Sequence, residues 1–125
     1  MGSRYAVLHH ELDNSCHYDW MFEVNGTLET WSTESLFQGS EVLDAVKIFD
    51  HRIAYLDYEG PVSNRRGVVT RIEQGIYEPA LQESDYRKFH LRPDASLEVG
   101  PYQIELSCAS PEEDCWTMTR RPPGE

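Results

Sequence analysis

Apolar and polar positions alternate over short stretches of this chain. The alternation is cleanest from His17 to Val24, where Tyr18, Trp20, Phe22 and Val24 form one set and His17, Asp19, Met21 and Glu23 the other. A period of two puts such sets on opposite faces of a strand. The first set is predicted to enter the core, and the second to line a cleft or face water. Asn25-Gly26 follows, the strongest short signal for a type I′ hairpin. Residues 27–31 are the predicted return strand. Leu28 and Trp31 differ there in parity, which predicts a less clean apolar face or a bulge.

Further strands are expected at 5–9, 67–72, 102–106 and 115–119. The 67–72 strand should end near Gln74-Gly75. Residues 92–95 read as a tight hairpin between 89–91 and 96–99. Residues 33–39 read as a polar loop, and 42–49 fits helix or strand. Asp50-His51-Arg52 punctuates that segment, and Gly60-Pro61 marks a turn. The tail, 120–125, reads as mobile. Many short strands and few helical windows predict an all-β fold, a small antiparallel β-barrel with little helix.

Composition narrows this picture. The 125 residues suit a single domain, 1–125, and a chain of this size buries roughly two-thirds of its unfolded surface. No apolar run reaches the ~18 residues of a membrane-spanning helix. The start, Met1-Gly2-Ser3-Arg4, shows no apolar secretory segment. A cytoplasmic protein without membrane partners is expected. Three cysteines, Cys16, Cys108 and Cys115, include no C-x-x-C pair, so reduced thiols are expected. The net charge of −11 repels a polyanion at long range. It argues against broad duplex binding and leaves room for a small, metal-assisted phosphate site.

Candidate chemistry gathers in two places. His17 and Asp19 share one face of a predicted strand, and His10 ends the strand before it. Two imidazoles and a carboxylate with open positions suit Mn²⁺, Fe²⁺ or Zn²⁺. His51 and Tyr55 are four apart, which brings them together on a helical turn or on one face of a strand. A histidine can donate a proton to a leaving oxygen or hold a phosphoryl oxygen, and a tyrosine hydroxyl can do the latter.

These residues carry a resemblance. Residues 17–26, HYDWMFEVNG, preceded by 5–10, YAVLHH, resemble the H…HYD-x-x-x-E-x-x-G signature of the 3′-phosphoesterase domain of bacterial DNA ligase D. Residues 50–60, DHRIAYLDYEG, resemble its D-H-x-x-x-Y-x-x-x-E-G signature. Residues 67–69 and 75–79 resemble its following G-x-V strand and G-x-Y-E-P turn. The resemblance implies a β-barrel with a cleft on its surface. It implies removal of a 3′-phosphate or 3′-ribonucleotide from the 3′ end of DNA or an RNA primer, or hydrolysis of a smaller phosphoester. Manganese is the implied cofactor, with Zn²⁺ or Co²⁺ as alternatives.

Carried over, His17 and Asp19 match metal ligands, and His10 matches the third, with His9 as its alternative. His51 and Tyr55 match residues at the scissile phosphate. Met21 stands where the family has an arginine, and no base lies in Thr33-Glu34-Ser35 where it has a lysine. Arg65 or Arg66 is a candidate substitute for the lost positive charge. Glu23 and Glu59 match the family and are expected to be structural. The alternative reading is a non-catalytic metal- or phosphate-binding module on the same scaffold. In either case the chain, without a ligase or polymerase domain, is expected to stand alone or to work in trans with a DNA-repair protein.

Overall fold

A computed structural model describes residues 3–39, 41–94 and 99–123. Among the described residues the strands are β1 (Ser3–Leu12), β2 (Ser15–Val24), β3 (Thr27–Thr33), β4 (Val42–Arg52), β5 (Gly60–Pro61), β6 (Val68–Glu83), β7 (Tyr86–Pro93), β8 (Tyr102–Ser110) and β9 (Cys115–Arg121). Among the described residues helix is limited to two 3₁₀ turns, Ile53–Leu56 and Pro111–Glu113. The order β1-β2-β3-β4-β9-β8-β7-β6 is antiparallel throughout, and β1 also pairs with β6, which closes the sheet into a barrel-like ring. Short β5 pairs with the start of β6. Among the described residues no helix is long and apolar enough to cross a membrane.

The inner face follows from period two. Tyr5 and Val7 of β1, Trp20 and Phe22 of β2, Trp31 of β3 and Phe89 and Leu91 of β7 point inward, joined by Ile104, Leu106, Trp116 and Met118. Phe22 is central: it stacks on Phe89 at 4.2 Å and meets Tyr5, Trp31 and Tyr77. Tyr5 and Tyr102 both donate to Glu73 Oε2, at 2.6 and 2.5 Å, so this inward carboxylate is satisfied by phenols. The hairpin turn forms as expected, with Asn25 and Gly26 at φ of 50° and 83°.

The opposite face is also covered. Ala6, Leu8, Met21, Leu28, Leu56 and Val69 form a second apolar cluster, with Tyr55 and Val62 against it. The cover is the excursion between β4 and β6. Arg71 holds it down: its backbone N–H donates to Glu59 Oε2 at 3.0 Å and its guanidinium donates to the Leu56 carbonyl at 3.2 Å. Glu59 is thus a clamp, and Glu23 likewise accepts the backbone N–H of Arg4 at 3.0 Å.

Two bulges distribute residues between the faces. Leu28 pairs with His51 but Thr30 pairs with Ile48, so β4 has one extra residue there. Val7 pairs with Glu73 but Leu8 with Arg71, so β6 has one extra residue as well. Each extra residue inverts the alternation beyond it. Leu43 and Ala45 therefore face inward while His51 faces outward; Tyr77 faces inward while Val69 faces outward.

Several expectations need correction. Met21 does not face water but is fully buried beneath the outer cover. Leu28 and Trp31 show ordinary alternation on a strand buried on both faces, and the bulge lies on their partner β4. The 42–49 segment is strand, and Asp50-His51-Arg52 belongs to it. Gly60-Pro61 is a short strand, not a turn. Strand β6 runs on through Gly75 and Pro79. At Gly75 a Cβ would lie 2.2 Å from the Arg92 carbonyl oxygen, so glycine there serves close strand approach. The 33–39 loop is not wholly polar, since its Leu36 and Phe37 pack on the inner core. Arg120 and Arg121 belong to β9, with Arg121 bonded to Glu105 at 2.6 Å. The predicted 92–95 hairpin falls partly on residues 95–98, outside the described residues; Arg92 and Pro93 belong to β7, which pairs with β8 from Tyr102. The three cysteines are free.

Phe22→Ala is expected to remove the centre of the inner aromatic stack and lower unfolding free energy by about 3–5 kcal/mol. Urea denaturation followed by tryptophan fluorescence measures the loss.

Candidate metal centre and cleft

Strand register assembles the first three donors. His10 lies directly opposite His17 across β1–β2, with ring centres 4.6 Å apart. Asp19, two residues beyond His17, shares their outward face. One ligand atom each from His10, His17 and Asp19 lies within 4.8 Å of the others. His9 belongs to the other face, where its ring meets Tyr18 at 5.2 Å. The inverted end of β4 brings in a third imidazole, that of His51.

Asp19 is the hub. It is 2% exposed, yet three imidazole nitrogens surround it. His17 Nε2 lies 3.2 Å from Oδ1, while His10 Nδ1 and His51 Nε2 each lie 3.7 Å from Oδ2. The His17 approach lacks hydrogen-bond alignment, so Asp19 Oδ1 is buried with no hydrogen-bond partner. An orphaned buried carboxylate oxygen demands a positive partner. Ligand atoms about 2.1 Å from a tetrahedral ion lie ~3.4 Å apart, close to the two imidazole–carboxylate separations of 3.2 and 3.7 Å. The residues therefore fit a divalent cation.

Backbone carbonyls set the imidazole tautomers. His10 Nε2 lies 2.5 Å from the Arg66 carbonyl oxygen. A carbonyl only accepts, so Nε2 carries the proton and the Nδ1 lone pair faces Asp19. His51 Nδ1 likewise donates to the Phe49 carbonyl at 3.1 Å, which leaves Nε2 toward the site. Gly67 permits the first contact. Its φ is +91°, and a Cβ there would lie 2.2 Å from the Glu11 carbonyl oxygen and 3.1 Å from His10 Nε2.

The charges are coupled. Burial alone would push the Asp19 carboxyl up, but His17 and His51 outweigh it and hold it down at about 2. The close side-chain contact with Asp19, and after it the carboxylate's charge, raise the His17 imidazole above the ordinary 6.5, with burial opposing.

Beside the donors lies a cleft of about 240 Å³, lined by His10, Asp19, His51, Tyr55, Phe49, Arg52 and Arg66 among others. Tyr55, on the 3₁₀ turn, meets the His51 ring edge-on at 5.8 Å. The two candidate arginines separate. Arg66 lines the cleft, but its guanidinium donates to the Ser63 carbonyl and hydroxyl at 2.9 and 3.1 Å. Arg65 lines a different hollow with Glu11 and Asp13. Sequence reasoning missed Phe49 and Arg52 as cleft residues; their only signal is that they flank Asp50-His51.

Fold and donors together define a class: a small barrel-like β protein with a His-His-Asp cluster on its outer wall. The family model described as the DNA ligase D 3′-phosphoesterase domain matches residues 8–120, and the chain belongs to that family. Among curated proteins, none matches the sequence.

Two outcomes follow from this geometry. In the metal-free protein, the low Asp19 pKa contributes stability above the ordinary 3.8, lost as pH falls toward 2. The raised His17 pKa contributes stability that is full below 6.5 and lost as pH rises through the folded value. Their pair should thus be most stabilising between those two reference values. A divalent ion needs His17 neutral, so Mn²⁺ affinity should rise by up to about tenfold per pH unit as His17 deprotonates. Calorimetric titration from acid to neutral pH measures it. Separately, Gly67→Ala should displace the Arg66 carbonyl from His10 and weaken Mn²⁺ binding by roughly 10- to 100-fold, with the far-UV β signal retained.

Proposed function

We propose that this protein is a divalent-metal-dependent phosphoesterase acting on the 3′ end of nucleic acid, removing a 3′-phosphate or a 3′-ribonucleotide. The observation that carries this reading is the buried Asp19 carboxylate, with an orphaned oxygen, among three imidazoles at the edge of a cleft. His10, His17 and Asp19 would hold the cation, with manganese the expected ion and zinc or cobalt the alternatives. A bound cation polarises a phosphoryl oxygen and offsets charge in the transition state.

The chain's own groups do the rest. Protonated His51 presents Nε2–H to a phosphoryl or leaving oxygen, and the Phe49 carbonyl on Nδ1 keeps the ring from turning. The Tyr55 hydroxyl is the second donor at that oxygen. Arg66 supplies positive charge once a phosphate competes with Ser63. We place Arg65 outside the first contacts, because it lines another hollow.

A second reading is a metal- or phosphate-binding module without turnover. Met21 favours it. Where the family carries an arginine, this chain has a fully buried apolar side chain that cannot grip phosphate.

Thermal melts and turnover separate the readings. At a Mn²⁺ concentration 100 times its Kd, wild type should gain about 2.7 kcal/mol, and Asp19→Ala should gain nothing. Wild type should release phosphate from a 3′-phosphorylated primer-template. His51→Ala should lower kcat by about 10²- to 10⁴-fold while keeping the Mn²⁺ shift. A wild-type Mn²⁺ shift without phosphate release would establish the binding module.

A further inference from the structure

Phe49 is the most exposed large apolar side chain beside the cleft, at 75%. It is not a stray surface residue. Its ring lies nearly parallel to the His51 ring, 5.1 Å between centres and 14° between planes. It begins a continuous aromatic row: His51 meets Tyr55 at 5.8 Å, and Tyr55 meets Tyr58 at 5.7 Å. One ring face of Phe49 covers His51, and the remaining surface is open to solvent.

The platform is held in place. Phe49 sits in the bulged stretch of β4, where residues between Ile48 and His51 oppose Glu29. The next residue, Asp50, is tied by the Thr27 hydroxyl at 3.2 Å and by Lys47 at 3.7 Å. A ring at the mouth of a cleft of about 240 Å³ has an evident use. The flat face of a nucleobase stacks on it without regard to sequence.

Charge makes this contact matter. The chain carries −11 overall. The Arg66 guanidinium is tied to Ser63, and Met21 offers no charge. Beyond the cation of the proposed site and the cleft residues Arg52 and Arg66, the chain therefore offers a nucleic-acid end little long-range attraction. Stacking carries no such requirement, and a nucleotide whose phosphate meets His51 has its base within reach of the adjacent ring.

We infer that Phe49 is a stacking platform for the nucleobase of the terminal nucleotide, so that the site takes base-bearing 3′ ends and not bare phosphoesters. The inference rests on the 3′-end reading above, and its test reads binding as well as turnover. The probes are two 3′-phosphorylated oligonucleotides with Mn²⁺, one ending in 2-aminopurine and one in an abasic residue. Wild type should quench the 2-aminopurine and prefer the base-bearing end by roughly 10- to 100-fold, in Kd and in kcat/KM. Phe49→Ala and Phe49→Leu should lose the quench and bring the preference close to one; Phe49→Trp should restore both. The leucine variant keeps an apolar cover on His51, which separates stacking from simple packing.

Equal quench and equal preference in wild type and Phe49→Ala would overturn the platform. So would an absence of binding to either oligonucleotide. Phe49-dependent quench without phosphate release would sink the enzyme and leave the platform standing. Phosphate release without preference for the base would do the reverse.

Discussion

One extra residue on β4 decides where His51 points. Leu43, Ala45 and Lys47 lie on the inner face, Lys47 over the Trp31 ring at 5.3 Å. Uninterrupted alternation would put His51 there too, inside the aromatic core. The bulge opposite Glu29 turns the strand's end outward, and His51 meets Asp19 from across β3. The same device on β6 turns Val69 and Arg71 outward, so that one supports the floor of the site and the other clamps its cover. Bulges are commonly found beside functional sites for this reason: they re-aim side chains without breaking the sheet.

The site depends on that outer wall being dry. In a closed sheet the outer face ordinarily meets water, and a carboxylate on it would be solvated. Here the excursion carrying Leu56, Tyr55 and Val62 covers the wall, and Asp19 is buried at its edge. A carboxylate there can stay ionised only among positive or donating groups. Three imidazoles supply part of this, yet one oxygen still lacks a hydrogen bond. A cation held by His10, His17 and Asp19 would give that oxygen a partner by direct ligation.

Much of this was legible in the sequence, for physical reasons. Period two in 17–24 placed His17 and Asp19 on one face and Trp20 and Phe22 on the other, because register to the neighbours does not alter alternation within one strand. Asn25-Gly26 fixed the hairpin through its positive φ angles. What sequence did not decide was pairing. His10 is the favoured ligand in the sequence with His9 as its alternative, and register separates them by setting His10 opposite His17. The β4 bulge has no local signature, so Asp50-His51-Arg52 reads as punctuation when it is the turned end of a strand. Leu28 and Trp31 look like a broken face only if one face is assumed to be buried; both are.

Met21 shows how one substitution reaches the whole site. Its side chain lies with Leu8, Leu28, Leu56 and Val69, under the cover and next to Asp19 along β2. An arginine at this position would bring a charged, strongly hydrogen-bonding group to a buried, apolar floor. The cover would have to open or the guanidinium would have to reach past it. A methionine lets the floor close, which lowers the local dielectric and strengthens each interaction of Asp19 with its imidazoles. The closed floor and the arginine's grip on phosphate are therefore competing solutions. A chain that adopts the first gives up that grip at Met21, and what its outer wall presents beside His51 is the exposed Phe49 ring.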